Sequence, residues 1–137
     1  MNKKGFTLIE MLVVIGIIAL LMAFLVPTFV TVQDRAKETG VKSVVNQVRL
    51  SIESYNLEND TFPVAVSTPL KTLFESYLSV GGYMTKLPKN PFTGKAYSDA
   101  DTSGKIIYDY DLSKNKYVIT GYKKDGTTKL LELTNLD

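Results

Sequence analysis

Cysteine and histidine are both missing from this 137-residue chain. Their absence excludes a thiol nucleophile, an imidazole general base and a metal site built on soft ligands. A glycine-rich phosphate loop is also lacking, and disulfides cannot stabilise an exported domain. The composition leaves a serine–lysine dyad open, but nothing in the sequence marks one. We therefore expect a protein that is not an enzyme.

Charge is absent from a long stretch near the N-terminus. Residues 11–33 contain no Asp, Glu, Lys or Arg, and a helix of that length can cross a bilayer. Glu10 is the single charge between Lys4 and Asp34. A carboxylate inside such a helix costs up to a few kcal/mol, most at the bilayer centre. This cost predicts that Glu10 has a buried positive partner.

The residues before the apolar run do not form an ordinary signal peptide. The small residue Gly5 precedes the apolar core, whereas a secretory cleavage site follows it. Residues 5–10, Gly-Phe-Thr-Leu-Ile-Glu, closely resemble the processing site of type IV prepilins and related pseudopilins. In that family a membrane prepilin peptidase cleaves after the glycine and methylates the new N-terminus. The resemblance implies cleavage between Gly5 and Phe6, N-methylation of Phe6 and retention of the apolar segment.

The same resemblance supplies the partner that Glu10 needs, because this residue corresponds to the acidic residue at the fifth mature position. Cleavage creates an ammonium group on Phe6, which can neutralise Glu10 of a neighbouring subunit inside an apolar fibre core. Breaking a buried ion pair costs roughly 3–5 kcal/mol. Glu10 would then fix the register of each added subunit. The alternative is that Glu10 lies at the membrane interface of an uncleaved anchor.

Three parts are predicted along the chain. Residues 1–5 form a leader that the peptidase removes, residues 6–33 a hydrophobic transmembrane and assembly helix, and residues 34–137 an extracytoplasmic head. Lys3 and Lys4 indicate a cytoplasmic N-terminus. Losing them leaves 14 of the 16 basic residues against 14 acidic ones, so bulk charge indicates no nucleic-acid or acidic partner.

The helix is predicted to continue past the membrane over residues 34–59. Its apolar stripe recurs at alternating steps of four and three residues and consists of Val41, Val45, Val48, Ile52 and Tyr55. A single helix from Phe6 to Asn59 would be roughly 80 Å long, its first half a hydrophobic stalk. Pro27 should kink or locally melt it, and the pilins that this sequence resembles carry a proline at the matching position.

Residues 60–98 are predicted to form a loop and a short helix. Thr68 is expected to be the N-cap and Pro69 the first helical residue. The helix should end near Leu78, with Leu70, Leu73, Phe74 and Tyr77 facing inward. The loop at residues 87–97 resembles the one before the sheet in major pseudopilins of type II secretion systems.

A β-meander is predicted for residues 99–137. Its three runs are 105–111, 116–122 and 127–133, with Asp125-Gly126 as a favoured hairpin turn. The expected inward residues are Ile107, Val118 and Leu131. The fold is therefore predicted to be α+β, a pilin fold in which the long N-terminal helix packs by its second half on a small antiparallel three-stranded sheet.

A calcium site is considered at Asp99, Asp101 and Ser103, because residues 99–104 read D-x-D-x-S-G like the first half of a calcium loop. The position that should supply a bidentate glutamate is Tyr110, so the loop is incomplete. Major pseudopilins, which this sequence resembles, bind calcium in a loop near here. The alternative is an ordinary acidic turn. No other cofactor is expected.

Single-stranded nucleic acid is not indicated by the sequence. Basic and aromatic residues do mingle near the C-terminus, at Lys114, Lys116, Lys123, Lys124, Lys129, Tyr117 and Tyr122. Neighbouring acidic residues nearly cancel their charge, which favours a solvated sheet surface.

The function expected from these features is that of a structural subunit of a type IV pilus. Its partners would be further copies of itself, the prepilin peptidase, the assembly platform with its ATPase machinery, and membrane lipid before assembly. It would lie in the cytoplasmic membrane with the head outside and later in a cell-surface fibre. A major pseudopilin of a type II secretion or competence system is the alternative, and an uncleaved single-span binding module a more remote one.

Overall fold

The structure is a computed structural model that describes residues 5–135. Lys3, Lys4 and most of the predicted leader lie outside the described residues, so the expected orientation of the N-terminus stays a prediction. The chain divides into two compact units, residues 1–35 and residues 36–137. Helix α1, Leu8–Asn59, contributes to both.

From Leu8 to Gln33 the first unit is an exposed apolar helix. Every residue from 5 to 33 is exposed, and α1 is long and apolar enough, by length and composition, to span a membrane. It is continuous through Pro27, so of the two alternatives expected at this proline local melting is wrong for this segment, and the kink stays a prediction. Proline removes one backbone hydrogen bond, the one that would reach the Ala23 carbonyl, while the Thr28 and Thr31 hydroxyls donate to the carbonyls of Phe24 and Pro27, both at 3.2 Å.

The second unit is built on the last part of α1. The predicted stripe is confirmed: Val41, Val45, Val48 and Ile52 are completely buried, and Tyr55 is half-buried. Val44 and Ser51 are also buried in this helix. A face this wide fits the period of 3.6 residues, which places residues three and four apart on one side.

The sheet has four antiparallel strands in the order β1-β2-β3-β4, where three were predicted. The strands are β1, Thr68–Pro69, β2, Ile106–Asp111, β3, Lys116–Tyr122, and β4, Lys129–Thr134. The short strand β1 pairs with β2 through Thr68 opposite Tyr108 and Pro69 opposite Ile107. The predicted α+β pilin fold holds with this added strand.

The segment after β1 corrects one predicted helix start. Thr68 lies in β1, and Pro69 is the N-cap of α2, Leu70–Leu73, with an extended backbone at φ −63° and ψ 152°. Proline suits both an edge strand and the entry to a helix, because its fixed φ is compatible with each. A π-helical turn, Phe74–Leu78, follows α2. Leu70 and Leu73 are buried as expected, and Phe74 and Tyr77 pack against the core.

Two of the three predicted inward sheet residues are wrong. Ile107 and Val118 are only half-buried, whereas their neighbours in sequence are buried. The inner face is formed by Ile106, Tyr108, Tyr110, Tyr117 and Ile119. Leu131 packs against the core as predicted. Because side chains alternate along a strand, an error of one residue reverses the face.

Tyrosines fill much of the core between α1 and the sheet. The buried Tyr108 hydroxyl donates to the Pro63 carbonyl at 2.9 Å, and the Tyr117 hydroxyl donates to the Glu53 carboxylate. The Tyr117 ring meets Phe62 edge to face, with centroids 4.8 Å apart. Burial raises the pKa of Tyr108 and of Tyr117 well above the ordinary value, since the phenolate would be poorly solvated there.

These buried tyrosines predict alkaline sensitivity. Tyrosine in the unfolded chain ionises near pH 10. The free energy of unfolding therefore keeps the full contribution of these tyrosines below that pH. It falls as the pH rises from there towards the higher pKa values of the folded state. Each of the two tyrosines adds up to about 1.4 kcal/mol per pH unit to this decrease in the free energy of unfolding. Tyr108→Phe should flatten it, and Tyr122→Phe, a half-exposed position, is the control. Thermal unfolding of the detergent-solubilised chain from pH 7 to pH 11 measures both slopes. Equal slopes in wild type and Tyr108→Phe would contradict the prediction.

Candidate processing and assembly site

The Gly5–Phe6 peptide bond lies in exposed, non-helical backbone just before α1. Phe6 is 71% exposed, and a Cβ built on Gly5 would meet no atom within 4 Å. A peptidase must draw the scissile bond into its own site, so accessible non-helical backbone suits cleavage here. The fold itself gives no reason for a glycine at this position.

Thr7 and Glu10 form a reciprocal capping box at the start of α1. The Thr7 backbone N–H and hydroxyl both donate to Glu10 Oε2 at 2.8 Å. The Glu10 backbone N–H donates in return to Thr7 Oγ1 at 3.3 Å. The Thr7 carbonyl accepts the first helical bond, from the Met11 N–H at 3.2 Å. Two backbone donors at the start of the helix, the Thr7 and Glu10 N–H groups, are therefore satisfied by its own side chains.

The capping box leaves part of the Glu10 carboxylate available. Within residues 5–135, the hydrogen bonds to this carboxylate are made at Oε2, and the side chain lies on an exposed surface. Oε1 can accept from a cation that approaches from another molecule, and Thr7 holds the carboxylate in a defined rotamer while it does so. The sequence pattern Thr-x-x-Glu is the signature of this cap, and our sequence analysis missed it.

The surface around Glu10 is apolar. Phe6, Ile9, Val13 and Val14 line a shallow concave patch together with Glu10. Further along the helix, the side chains of Phe24, Leu25 and Phe29 are 71%, 64% and 63% exposed. Exposed apolar area on this scale marks a surface that is covered by lipid or by protein. Pro27 lies within this segment of α1.

Each residue of the candidate calcium loop has its own hydrogen-bond partner in the head. The Asp99 carboxylate accepts from the Thr72 hydroxyl at 3.1 Å, which directs it towards α2. The Asp101 carboxylate accepts from Asn90 Nδ2 and the Ser98 backbone N–H, both at 3.0 Å.

The third residue of that loop is also engaged, since the Ser103 hydroxyl donates to the Lys124 carbonyl at 2.7 Å. Both carboxylates accept these bonds at Oδ2, and the three residues of the loop are held by partners in different parts of the head. The arrangement as described fits a hydrogen-bonded turn, and no part of the function below depends on calcium.

Comparison with known proteins places the N-terminal features in context. Residues 1–26 match the family model of the prokaryotic N-terminal methylation motif. The chain is 35% identical over 96 residues to the ComG operon protein 3 homolog of Bacillus licheniformis, covering 70% of this chain and 89% of that protein. It is 31% identical over 98 residues to type II secretion system core protein G of Pseudomonas aeruginosa, covering 66% and 69%.

A third relative is a pilus protein. The chain is 43% identical over 61 residues to the type IV wide pilus major component PilA4 of Thermus thermophilus, covering 44% of this chain and 47% of that protein. The match therefore spans just under half of that relative. No solved structure gives a significant match. With the methylation motif, the long apolar helix and the helix-on-sheet head, these likenesses show that the chain belongs to the type IV pilin and pseudopilin family.

Proposed function

We propose that the chain is a structural subunit of a type IV pilus fibre, processed after Gly5 and polymerised through its hydrophobic N-terminal helix. The observation that carries this proposal is the apolar surface of α1, which is exposed without interruption from its start to residue 33. The only charge on it is a carboxylate held by its own cap. Such a surface suits a lipid bilayer first and neighbouring copies of the same helix afterwards.

The proposed sequence of events follows from this surface. The chain inserts with its head outside the cytoplasmic membrane, prepilin peptidase cleaves after Gly5 and methylates Phe6, and the subunit is stored in the membrane. An assembly platform driven by an ATPase then moves it into a helical fibre. Helix–helix packing replaces lipid contact in the fibre core, so shape and polar pairing decide assembly more than hydrophobicity does.

Glu10 supplies the polar pairing in this proposal. Cleavage turns the Phe6 nitrogen into an ammonium group, and Glu10 Oε1 on a neighbouring subunit can accept from it. A pair buried in the apolar core is tolerable only when both charges are present. A subunit added out of register would leave one or both unpaired, so the pair selects the register.

The test is mass spectrometry of the N-terminal peptide from fibres sheared off native cells. An abundant peptide that begins at methylated Phe6 would establish the surface fibre. The same peptide found only in membranes would contradict the surface pilus and favour a pseudopilus. An intact N-terminus, with residues 1–5 retained, would favour the uncleaved anchor and overturn the fibre proposal.

A second candidate is a major pseudopilin of a secretion or competence system. The two relatives that match more of the chain carry such names, the ComG operon protein 3 homolog and type II secretion system core protein G. This function uses the same processing and the same helix, and it differs in the length of the fibre and in what the fibre moves. Electron microscopy of cells that express the chain at native level separates the two, because a pilus extends beyond the envelope.

Calcium binding at Asp99, Asp101 and Ser103 stays a prediction from the sequence. If the loop binds calcium, titration calorimetry of the full chain in detergent should give a saturable heat at or below millimolar calcium. Asp101→Asn should abolish that heat, while Asp125→Asn, in the turn before β4, should retain it. A titration without a saturable heat would identify the loop as an ordinary acidic turn.

A further inference from the structure

A basic hairpin lies on the head between the π-helical turn and β2, at residues 84–97. It contains Lys86, Lys89 and Lys95 and no acidic residue. All three lysines are exposed. Together with residues 34–42 of α1 this region carries a net charge of +4, and the rest of the mature chain carries −4. The neutral total therefore conceals one strongly basic region.

Backbone contacts give the hairpin a defined shape. Lys89 and Ala96 form an antiparallel bridge, and the Asn90 N–H donates to the Lys95 carbonyl at 2.8 Å. The Asn90 side chain is completely buried. Its Nδ2 donates to the Ser103 carbonyl at 2.8 Å. The lysines are thus presented by a fixed scaffold, with the exposed residues Thr93 and Gly94 at its tip.

The hairpin packs on the first turns of α1 within the head. A Cβ on Gly40 would lie 2.8 Å from Cγ of Pro91, so only glycine allows this approach. Lys37 Nζ lies 5.9 Å from the centre of the Phe92 ring, a cation–π contact that adds a fourth basic group beside the hairpin.

Sequence distance keeps the hairpin close to the membrane. Gly40 follows Gln33, the last residue of the uncharged segment, by seven residues. Seven residues reach at most about 25 Å when fully extended and about 10 Å as a helix. The Debye length is about 8 Å at physiological salt. Since α1 is continuous here, the helical distance of about 10 Å applies to Gly40, and a lysine of the hairpin that packs on Gly40 can reach the headgroup region from there.

We propose that this basic hairpin binds anionic phospholipid headgroups while the subunit is stored in the membrane. The inference rests on the membrane-anchored precursor of the proposed function. Lysine ammonium groups interact with phosphate as point charges and need no fixed pocket, which suits a fluid surface. Asp101 is an acidic group adjoining the hairpin, and its carboxylate is bound by Asn90 and Ser98.

Binding of this kind would be a reversible restraint on the head. It would be released when the subunit leaves the bilayer, and it would weaken with salt. Each basic residue near an anionic surface changes partitioning about fivefold. Removal of three lysines should lower the ratio of headgroup-bound to free hairpin on the order of 100-fold.

The experiment uses the full chain reconstituted in vesicles. The sequence contains no cysteine, so Thr93→Cys gives a single position for a fluorophore at the hairpin tip, and a spin-labelled lipid quenches it from the headgroup region. Vesicles of phosphatidylcholine alone are compared with vesicles that contain phosphatidylglycerol. We expect stronger quenching with phosphatidylglycerol, and its loss in high salt.

Matched variants test whether lipid binding depends on the lysines of the hairpin or only on the net charge of the head. Lys86→Gln with Lys89→Gln and Lys95→Gln should lose the lipid-dependent quenching, and the corresponding arginine variant should keep it. The control removes three lysines in and next to β3, Lys114, Lys116 and Lys123, and should behave like the wild type. Equal quenching in both lipids, or equal loss in the control, would overturn the proposal.

Two further outcomes are informative. If the chain resists insertion and is extracted by carbonate, the anchored precursor itself is wrong and the inference falls with it. If it inserts but shows no lipid dependence, only the inference fails. A response to an added oligonucleotide in phosphatidylcholine vesicles, without one to phosphatidylglycerol, would identify nucleic acid as the partner and overturn the lipid assignment.

Discussion

Glu10→Gln should be cleaved and methylated normally yet assemble few fibres. Glutamine can occupy the third helical position of a capping box as glutamate does, so the bonds from Thr7 to this side chain are retained. Only the negative charge is lost. The Phe6 ammonium of the neighbouring subunit would then be buried without a partner, at roughly 3–5 kcal/mol per contact. That cost lowers the equilibrium constant for adding each subunit on the order of 10²- to 10⁴-fold.

The measurement is the yield of sheared fibre relative to the processed pool in the membrane. Thr7→Val is the control, because it keeps the Glu10 charge and removes the Thr7 hydroxyl from the cap, at a cost of about 1 kcal/mol. Glu10→Ala, which removes charge and cap together, should assemble no better than Glu10→Gln. Wild-type fibre yield from Glu10→Gln would refute the pairing role. Equal losses in Thr7→Val and Glu10→Gln would assign the effect to the cap.

The helical part of the fold was predictable because one period governs it. The stripe from Val41 to Ile52 alternates at helical steps, and each of its residues is buried in the core of the structure. The inner face of β2 and β3 was predicted wrongly because the hydropathy of single residues was used. The alternation of side chains along a strand, with a period of two residues, should have decided. Ile107 shares its face with Asp109 and Asp111, and that alternation alone assigns Ile106 and Tyr108 to the core.

Strand β1 was not predictable in the same way. It has two residues, and its pairing with Tyr108 and Ile107 joins segments far apart in sequence. Nothing local distinguishes Thr68-Pro69 at a sheet edge from the same dipeptide at the start of a helix. The capping box is the opposite case, since Thr7 and Glu10 are three residues apart and carry a local signature. It was missed because the family motif had already assigned Glu10 a role.

Gly5→Val should block processing and leave the whole chain in the membrane with residues 1–5 attached. A β-branched side chain would stand directly before the bond to be cleaved, where the family has glycine. The fold should be unaffected, because a Cβ at Gly5 meets no atom within 4 Å in this structure. Gly16→Val is the matched control: its Cβ also meets no atom within 4 Å, but it lies away from the cleaved bond. Intact mass of the membrane-extracted chain distinguishes precursor from mature subunit, and a mature mass for Gly5→Val would contradict the prediction.

Blocked cleavage in Gly5→Val should also prevent assembly. The reason is electrostatic and is shared with Glu10→Gln, since each variant leaves one buried charge without its partner. In the precursor the Phe6 nitrogen is part of a neutral peptide bond, so it carries no charge with which to meet Glu10 of the next subunit. The buried carboxylate would be the unpaired charge in Gly5→Val, as the ammonium is in Glu10→Gln. A chain with both changes buries neither charge, and in it the penalty for an unpaired ion disappears. If charge alone excluded Gly5→Val from fibres, the double variant should regain some assembly. If the retained leader excludes it by its size, the double variant should assemble no better than Gly5→Val, and sheared-fibre yield decides between the two.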